Sequence, residues 1–131
     1  MTRRHLLVVF VAAIAVVAGA CSKGPLKVRT IQVGRTLNSD NSVGTITTQF
    51  KPADTIYASV LTDDGGKGTI TVRWTYAGRA VSEEDKAVSY NGDAATEFHI
   101  RNPSGFPAGD YKVEILVDGM SIAVREFKVV A

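Results

Sequence analysis

Thr69-Ile70-Thr71-Val72-Arg73-Trp74-Thr75-Tyr76 is the stretch that decides the fold. Ile70, Val72, Trp74 and Tyr76 alternate with Thr69, Thr71, Arg73 and Thr75. Successive side chains of an extended chain point to opposite faces, so this pattern sets large apolar groups on one side and polar groups on the other, as in a half-buried strand. Just upstream, Ile56, Ala58 and Val60 alternate with Tyr57, Ser59 and Leu61. The Asp63-Asp64-Gly65-Gly66-Lys67-Gly68 tract between the two runs has turn composition, and a hairpin is expected there.

Strands are also predicted over Val28 to Val33, Gly44 to Phe50, Ala87 to Tyr90, Ala95 to Arg101, Tyr111 to Asp118 and Ile122 to Val130. In the Tyr111 run, Tyr111, Val113, Ile115 and Val117 share one face, and Asp118-Gly119 signals a tight hairpin into the last strand. Ile122 and Val124 have one parity and Phe127 and Val129 the other, which predicts a β-bulge near Arg125-Glu126. Ser82-Glu83-Glu84-Asp85-Lys86 reads as a solvated loop. No stretch after Cys21 has the periodicity of a three-turn amphipathic helix. Seven or eight short strands joined by Gly, Pro, Asn and Asp turns predict an all-β fold, an antiparallel sandwich over residues 28–131 with Trp74 at the contact between its sheets.

The chain of 131 residues is enough for one such domain. Its first part has a different character. Thr2-Arg3-Arg4-His5 is a short basic segment, and Leu6 to Ala20 is 15 residues of uninterrupted apolar side chains and one glycine. As a helix this run would reach about 22 Å, short of the roughly 30 Å hydrocarbon core of a bilayer. A helical signal peptide over residues 1–20 is therefore expected. With residues 1–20 removed, Arg3 and Arg4 go too, leaving 13 basic against 13 acidic residues. A neutral domain without a Lys/Arg run argues against a nucleic-acid partner.

Val17-Ala18-Gly19-Ala20-Cys21 holds the only cysteine, immediately after the small residues of the expected cleavage point. Gly19-Ala20-Cys21 resembles the lipobox of bacterial lipoproteins, with Ala18 where that family usually has Leu. The resemblance implies a diacylglyceryl group on the Cys21 thiol, cleavage in front of it, and a partner in the membrane itself through that lipid. Cleavage after an A-x-A-like Ala18-Gly19-Ala20 site, leaving a free exported thiol, is the alternative. Residues 21–27 would then form a short lipidated tether that keeps the domain close to the bilayer. In a Gram-negative host, Ser22 after the cysteine implies sorting to the outer membrane.

Pro107-Ala108-Gly109-Asp110-Tyr111 resembles the Pro-x-Gly-x-Tyr lead-in to a late strand in many immunoglobulin-like and fibronectin-like bacterial domains, where the tyrosine packs at the sheet corner. Together with Phe50-Lys51-Pro52-Ala53-Asp54-Thr55-Ile56-Tyr57 and Trp74-Thr75-Tyr76, it makes residues 45 to 130 look like small bacterial lipoproteins with an immunoglobulin-like domain. That resemblance implies an envelope location and an immunoglobulin-like fold, and it brings no substrate or catalytic residue.

A hydrolase needs a nucleophile with a base in reach. After Cys21 the chain has one histidine, His99, which alternates with Phe98 and Ile100 and reads as an outward strand residue. One His and one Cys do not make a zinc or copper set. Asp63-Asp64-Gly65-Gly66 lacks the remaining oxygen ligands calcium requires, Glu83-Glu84-Asp85 reads as a solvated charge run, and Gly65-Gly66-Lys67-Gly68 lacks phosphate-loop spacing. No catalytic residue, cofactor or metal is therefore expected. The reading is a non-enzymatic envelope lipoprotein that works as a membrane-tethered protein-interaction or structural module, with Arg73, Arg79 and Tyr57 as conceivable contacts. The alternative is a ligand- or carbohydrate-binding module with exposed aromatics, for which an exposed Trp74 would be the platform.

Replacing Cys21 by Ser should abolish acylation and release the protein from membranes; fractionation of cells carrying Cys21→Ser checks this, and continued membrane retention would refute the lipobox.

Overall fold

The computed structural model describes residues 23–131, so Cys21 and the expected signal peptide lie outside the described residues. Eight strands follow in order: β1 (Lys27–Gly34), β2 (Gln49–Phe50), β3 (Ile56–Asp63), β4 (Gly66–Tyr76), β5 (Arg79–Tyr90), β6 (Ala94–Ile100), β7 (Gly109–Val117) and β8 (Met120–Val129). They form a three-stranded sheet, β1-β3-β6, and a five-stranded sheet, β2-β8-β7-β4-β5. The described residues contain no helix.

Strand β4 behaves as its alternation dictates. Ile70, Val72 and Trp74 are buried, while Thr69, Thr71, Arg73 and Thr75 are half-exposed on the other face. Against them lie Ile56, Ala58 and Val60 of β3 and Phe98 of β6, all buried in the same cluster. Trp74 is 1% exposed and meets Phe127 edge-on at 6.0 Å. It belongs to the core, and the carbohydrate-binding alternative thereby loses its best aromatic.

The expected hairpin between β3 and β4 does not form. These strands lie in different sheets, and the Asp63–Gly66 segment carries the chain from one to the other. Both strands bury one apolar face, and crossing over lets the two faces cover each other rather than share one side. Asp64, Gly65 and Gly66 all take left-handed φ, at 62°, 77° and 137°. A Cβ on Gly66 would lie 2.7 Å from the Pro25 carbonyl oxygen, so the crossing demands glycine there for space as well as for conformation.

Three other expectations change. Ser82 to Lys86 is part of strand β5, not a loop. Arg73 of β4 bonds Glu83 at 3.0 Å, and the Thr71 hydroxyl donates to Asp85 at 2.7 Å, so the charge run is the polar side of a pairing with β4. As the outermost strand it tolerates charge, and charge also protects an open edge from further pairing. The strand foreseen over Gly44 to Phe50 shrinks to Gln49–Phe50, which pairs parallel to β8 in an otherwise antiparallel sheet. Residues 35–45 instead fold over β3, where the Asn41 carbonyl accepts from buried Ser59 at 2.6 Å.

The bulge in β8 sits at Ile122 rather than near Arg125-Glu126, since Ile115 pairs with Ala123 and Leu116 with Ser121. Phe127 and Val129 face the core, while Ile122 and Val124 face solvent at 40% and 46% exposure. The change of parity thus marks apolar side chains on the outer face. The Asp118-Gly119 hairpin forms as expected, with φ of 50° and 83° at its two central residues, the left-handed geometry that matches strand twist.

Trp74→Ala should lower stability by about 3 to 5 kcal/mol, the usual result of truncating a fully buried aromatic. Thermal unfolding of the variant checks this, and an unchanged melting temperature would remove Trp74 from the core.

Candidate functional site

Strand β4 (Gly66–Tyr76) has Lys67, which bridges to Pro25, at its start and Tyr76 at the far end of the sandwich. At about 3.3 Å per residue the two ends of this strand lie about 30 Å apart. The far end holds an open groove of 570 Å³ between β5 and the residues from β6 to β7. Its floor is Tyr76, Ile100, Phe106 and Tyr111, and Val81, His99 and Arg101 stand around it.

The floor is an extension of the core. Phe127 stacks on Tyr111 with ring centres 5.4 Å apart, Tyr111 packs against Tyr76 at 4.6 Å, and Phe106 meets Tyr111 edge-on at 6.1 Å. The Tyr111 hydroxyl donates to the Pro107 carbonyl at 2.7 Å, and that of Tyr76 to the Ala108 carbonyl at 3.1 Å. Here the Pro-x-Gly-x-Tyr resemblance takes physical form, since the tyrosine closes the turn that leads into its own strand. Tyr111 and Phe106 are themselves buried, so the apolar surface the groove offers a ligand is that of half-buried Tyr76 and Ile100 and exposed Val81. Burial, with the neighbouring Tyr76 second, pushes the Tyr111 phenol above the ordinary tyrosine value.

Around the floor the groove is polar and asymmetric. Val81 is 53% exposed within the charged strand β5. Arg101 is exposed beside it, and Arg79, two residues before Val81, is exposed at the same end. Among the described residues neither arginine forms an ion pair, whereas Arg73 is held by Glu83 at 3.0 Å and Glu114 at 2.8 Å. Hydrogen bonding to Glu83, then its charge, raises the Arg73 pKa. Arg73 is thus engaged on the outer face of the sheet, away from the groove. Tyr57 is half-buried and lies 5.6 Å from the His99 ring. Of the three conceivable contacts, Arg79 and Tyr57 lie at the groove end and Arg73 does not.

His99 is exposed, as its alternation predicts, and its Nδ1 lies 3.0 Å from a Glu97 oxygen. Ser82 lines the same groove, and the hydrogen bond His99 makes is to Glu97. Among the described residues no three His, Cys, Asp or Glu side chains cluster as a metal centre would need. Asp63 instead pairs with Arg29 at 3.4 Å and Asp64 with Lys27 at 4.0 Å. Sequence reasoning missed Val81, Ile100, Arg101 and Phe106. Val81 alone carried a signal, as an isolated apolar residue in a charged edge strand.

The sequence matches no protein-family model and no curated protein. Among solved structures, 82% of the chain is similar to 98% of an immunoglobulin-like protein from Pseudomonas aeruginosa, at a TM-score of 0.58 and 12% identity. It is also similar, at a TM-score of 0.53 and 17% identity, to 31% of an alkylpurine DNA glycosylase from Pseudomonas fluorescens bound to DNA containing an abasic site analog. At these identities the likeness shows the fold, an immunoglobulin-like β-sandwich, and nothing of the chemistry.

The raised Tyr111 pKa means that the folded state prefers the neutral phenol. Its contribution to stability is complete below the unfolded value of about 10 and is lost as pH rises through the higher folded value. Alkaline titration of stability should therefore show a fall above that point, and Tyr111→Phe should flatten it while costing about 1 kcal/mol at neutral pH for the lost hydrogen bond.

Proposed function

We propose that the protein is a non-enzymatic, lipid-anchored component of a bacterial cell envelope, whose immunoglobulin-like domain binds a protein partner at the end remote from its anchor. The observation that carries this reading is the position of the distal groove. Cys21 lies two residues before Lys23, whose ammonium bonds Ser89 at 2.9 Å, and Lys67 donates to the Gly24 carbonyl at 3.0 Å. Attachment through Cys21 therefore leaves the groove facing away from the bilayer, about the length of β4 from it.

The lining suggests the partner's chemistry. Aromatic and aliphatic floor residues suit an apolar anchor side chain, and Arg79 and Arg101 suit carboxylates beside it. The partner is accordingly an envelope protein that presents an apolar residue next to acidic ones. In a Gram-negative host the residue after the lipidated cysteine, Ser22, supports the outer membrane as the location.

A benzophenone amino acid in place of Val81, photolysed in intact cells, should give one discrete protein adduct. Arg79→Glu combined with Arg101→Glu should reduce that adduct about tenfold, equivalent to ~1.4 kcal/mol, with thermal stability changed by less than about 0.5 kcal/mol. Lack of an adduct at Val81 would overturn the assignment of the groove.

A further inference from the structure

We propose that a second groove, between β1 and the β7–β8 hairpin, shelters one acyl chain of the lipid on Cys21. The inference rests on the lipid-anchored reading above and adds a binding site for that lipid on the domain itself. The groove measures 650 Å³ and is lined on its apolar side by Pro25, Leu26, Val28, Val117, Met120 and Ile122. This volume lies within the roughly 300 to 1,000 Å³ of sites that hold small apolar ligands.

The groove exists because two strand edges are left open. β1 pairs with β3 alone, and β2 covers β8 only at Lys128 and Val129. Between these edges the flank of the core is reachable from solvent. The other open edge of the five-stranded sheet, β5, carries Glu83, Glu84, Asp85 and Lys86, which discourage association. Along β8, by contrast, Met120 is 71% exposed and Ile122 40% exposed. An edge of this composition is a surface made to be covered.

The position of the chain outside the described residues says what covers it. Pro25 is bridged to Lys67 and lies at the groove itself. Cys21 precedes Pro25 by four residues, which span at most about 14 Å fully extended. The sulfur that would carry the lipid is therefore held within a short reach of an apolar groove. Two cations line the groove: Arg29 is engaged by Asp63 at 3.4 Å, and Arg125 is exposed and donates to the Val124 carbonyl at 3.2 Å, so its charge can stay in water at the rim of the groove. One chain in the groove leaves the other chain of the diacylglyceryl group for the bilayer. A single inserted chain binds only marginally, and the exposed Met120 and Ile122 at the mouth of the groove supply the second apolar contact with the membrane. The consequence is a domain fixed against the membrane by its lipid, with the distal groove turned outward.

The test uses the full chain in growing cells fed a fatty acid that carries a photoreactive diazirine. After irradiation, mass spectrometry of the purified protein should find the Cys21 peptide crosslinked to peptides containing residues 25–31 or 117–125 of the same molecule. Met120→Glu combined with Ile122→Lys, both at exposed positions and so compatible with folding, should leave acylation of Cys21 unchanged and reduce those crosslinks about tenfold, equivalent to ~1.4 kcal/mol. Acylation of Cys21 without such crosslinks overturns the sheltered chain and leaves the lipid anchor standing. Crosslinks that are equally frequent at Val81, or groove peptides that carry a phospholipid or another protein in place of the Cys21 link, also overturn it. An unmodified Cys21 removes the lipid anchor and this inference together.

Discussion

Ile70, Val72 and Trp74 project from one face of β4, and that face stays dry only if a second sheet lies over it. The rest of the domain answers this requirement. β3 and β6 supply Ile56, Ala58, Val60 and Phe98 from the opposite side, and Val113, Ile115 and Phe127 extend the buried face of the five-stranded sheet across β7 and β8. Since the apolar area removed from water drives such packing at about 25 cal/mol per Å², a tryptophan at the centre contributes more than any neighbouring aliphatic residue.

β7 and β8 also bury apolar faces and meet this requirement side by side as a hairpin, but β3 and β4 lie in opposite sheets, so the chain between them must cross from one to the other. The chain resolves this at Asp64, Gly65 and Gly66, where successive left-handed residues carry it across the gap between sheets. Because the smaller sheet has only three strands, it leaves the flanks of the five-stranded sheet open. Both grooves lie along those flanks, one between β1 and β8 and one between β5 and the residues after β6. Lys86 partly closes the second flank, with its ammonium bonded to the Glu97 carbonyl and lying 4.7 Å from the centre of the Phe98 ring. The apolar surfaces available for recognition are thus by-products of unequal sheets rather than separately built cavities.

The two ends of the sandwich differ in a way that bears on use. The sequence predicts a short tether over residues 21–27, but Gly24 and Pro25 are laid against the start of β4, Lys23 bonds Ser89 of β5, Leu26 is buried and Lys27 begins β1. A lead-in segment fastened in this way would transmit the orientation of any upstream attachment to the domain, which a flexible linker does not. At the opposite end, Tyr111 gathers Tyr76, Phe106 and Phe127 around it and holds the 107–108 turn through its hydroxyl. The rings there are packed against one another, and side chains already packed lose less entropy when something binds.

Several features were legible in the residues themselves: the all-β class, the buried face of β4, the Asp118-Gly119 hairpin, the Tyr111 corner and the outward His99. Each depends on side-chain period or on the φ preferences of a few neighbouring residues, and those are local properties. The sheet membership of β3, the reduction of Gly44 to Phe50 to a two-residue parallel strand, the extension of β5 through Glu83 to Lys86 and the site of the β8 bulge were decided elsewhere. They follow from which distant strand each segment meets. Ser82 to Lys86 becomes a strand because Arg73 and Thr71 offer partners, and Ile122 faces outward because Ala123 pairs with Ile115. The distal groove belongs to this second kind, since Val81, Arg101, Phe106 and Tyr111 have no pattern in common until tertiary packing brings them to one end. The residues around Cys21 stand apart from both. Their reading rests on apolar length and residue size next to a single thiol, and owes nothing to how the domain folds.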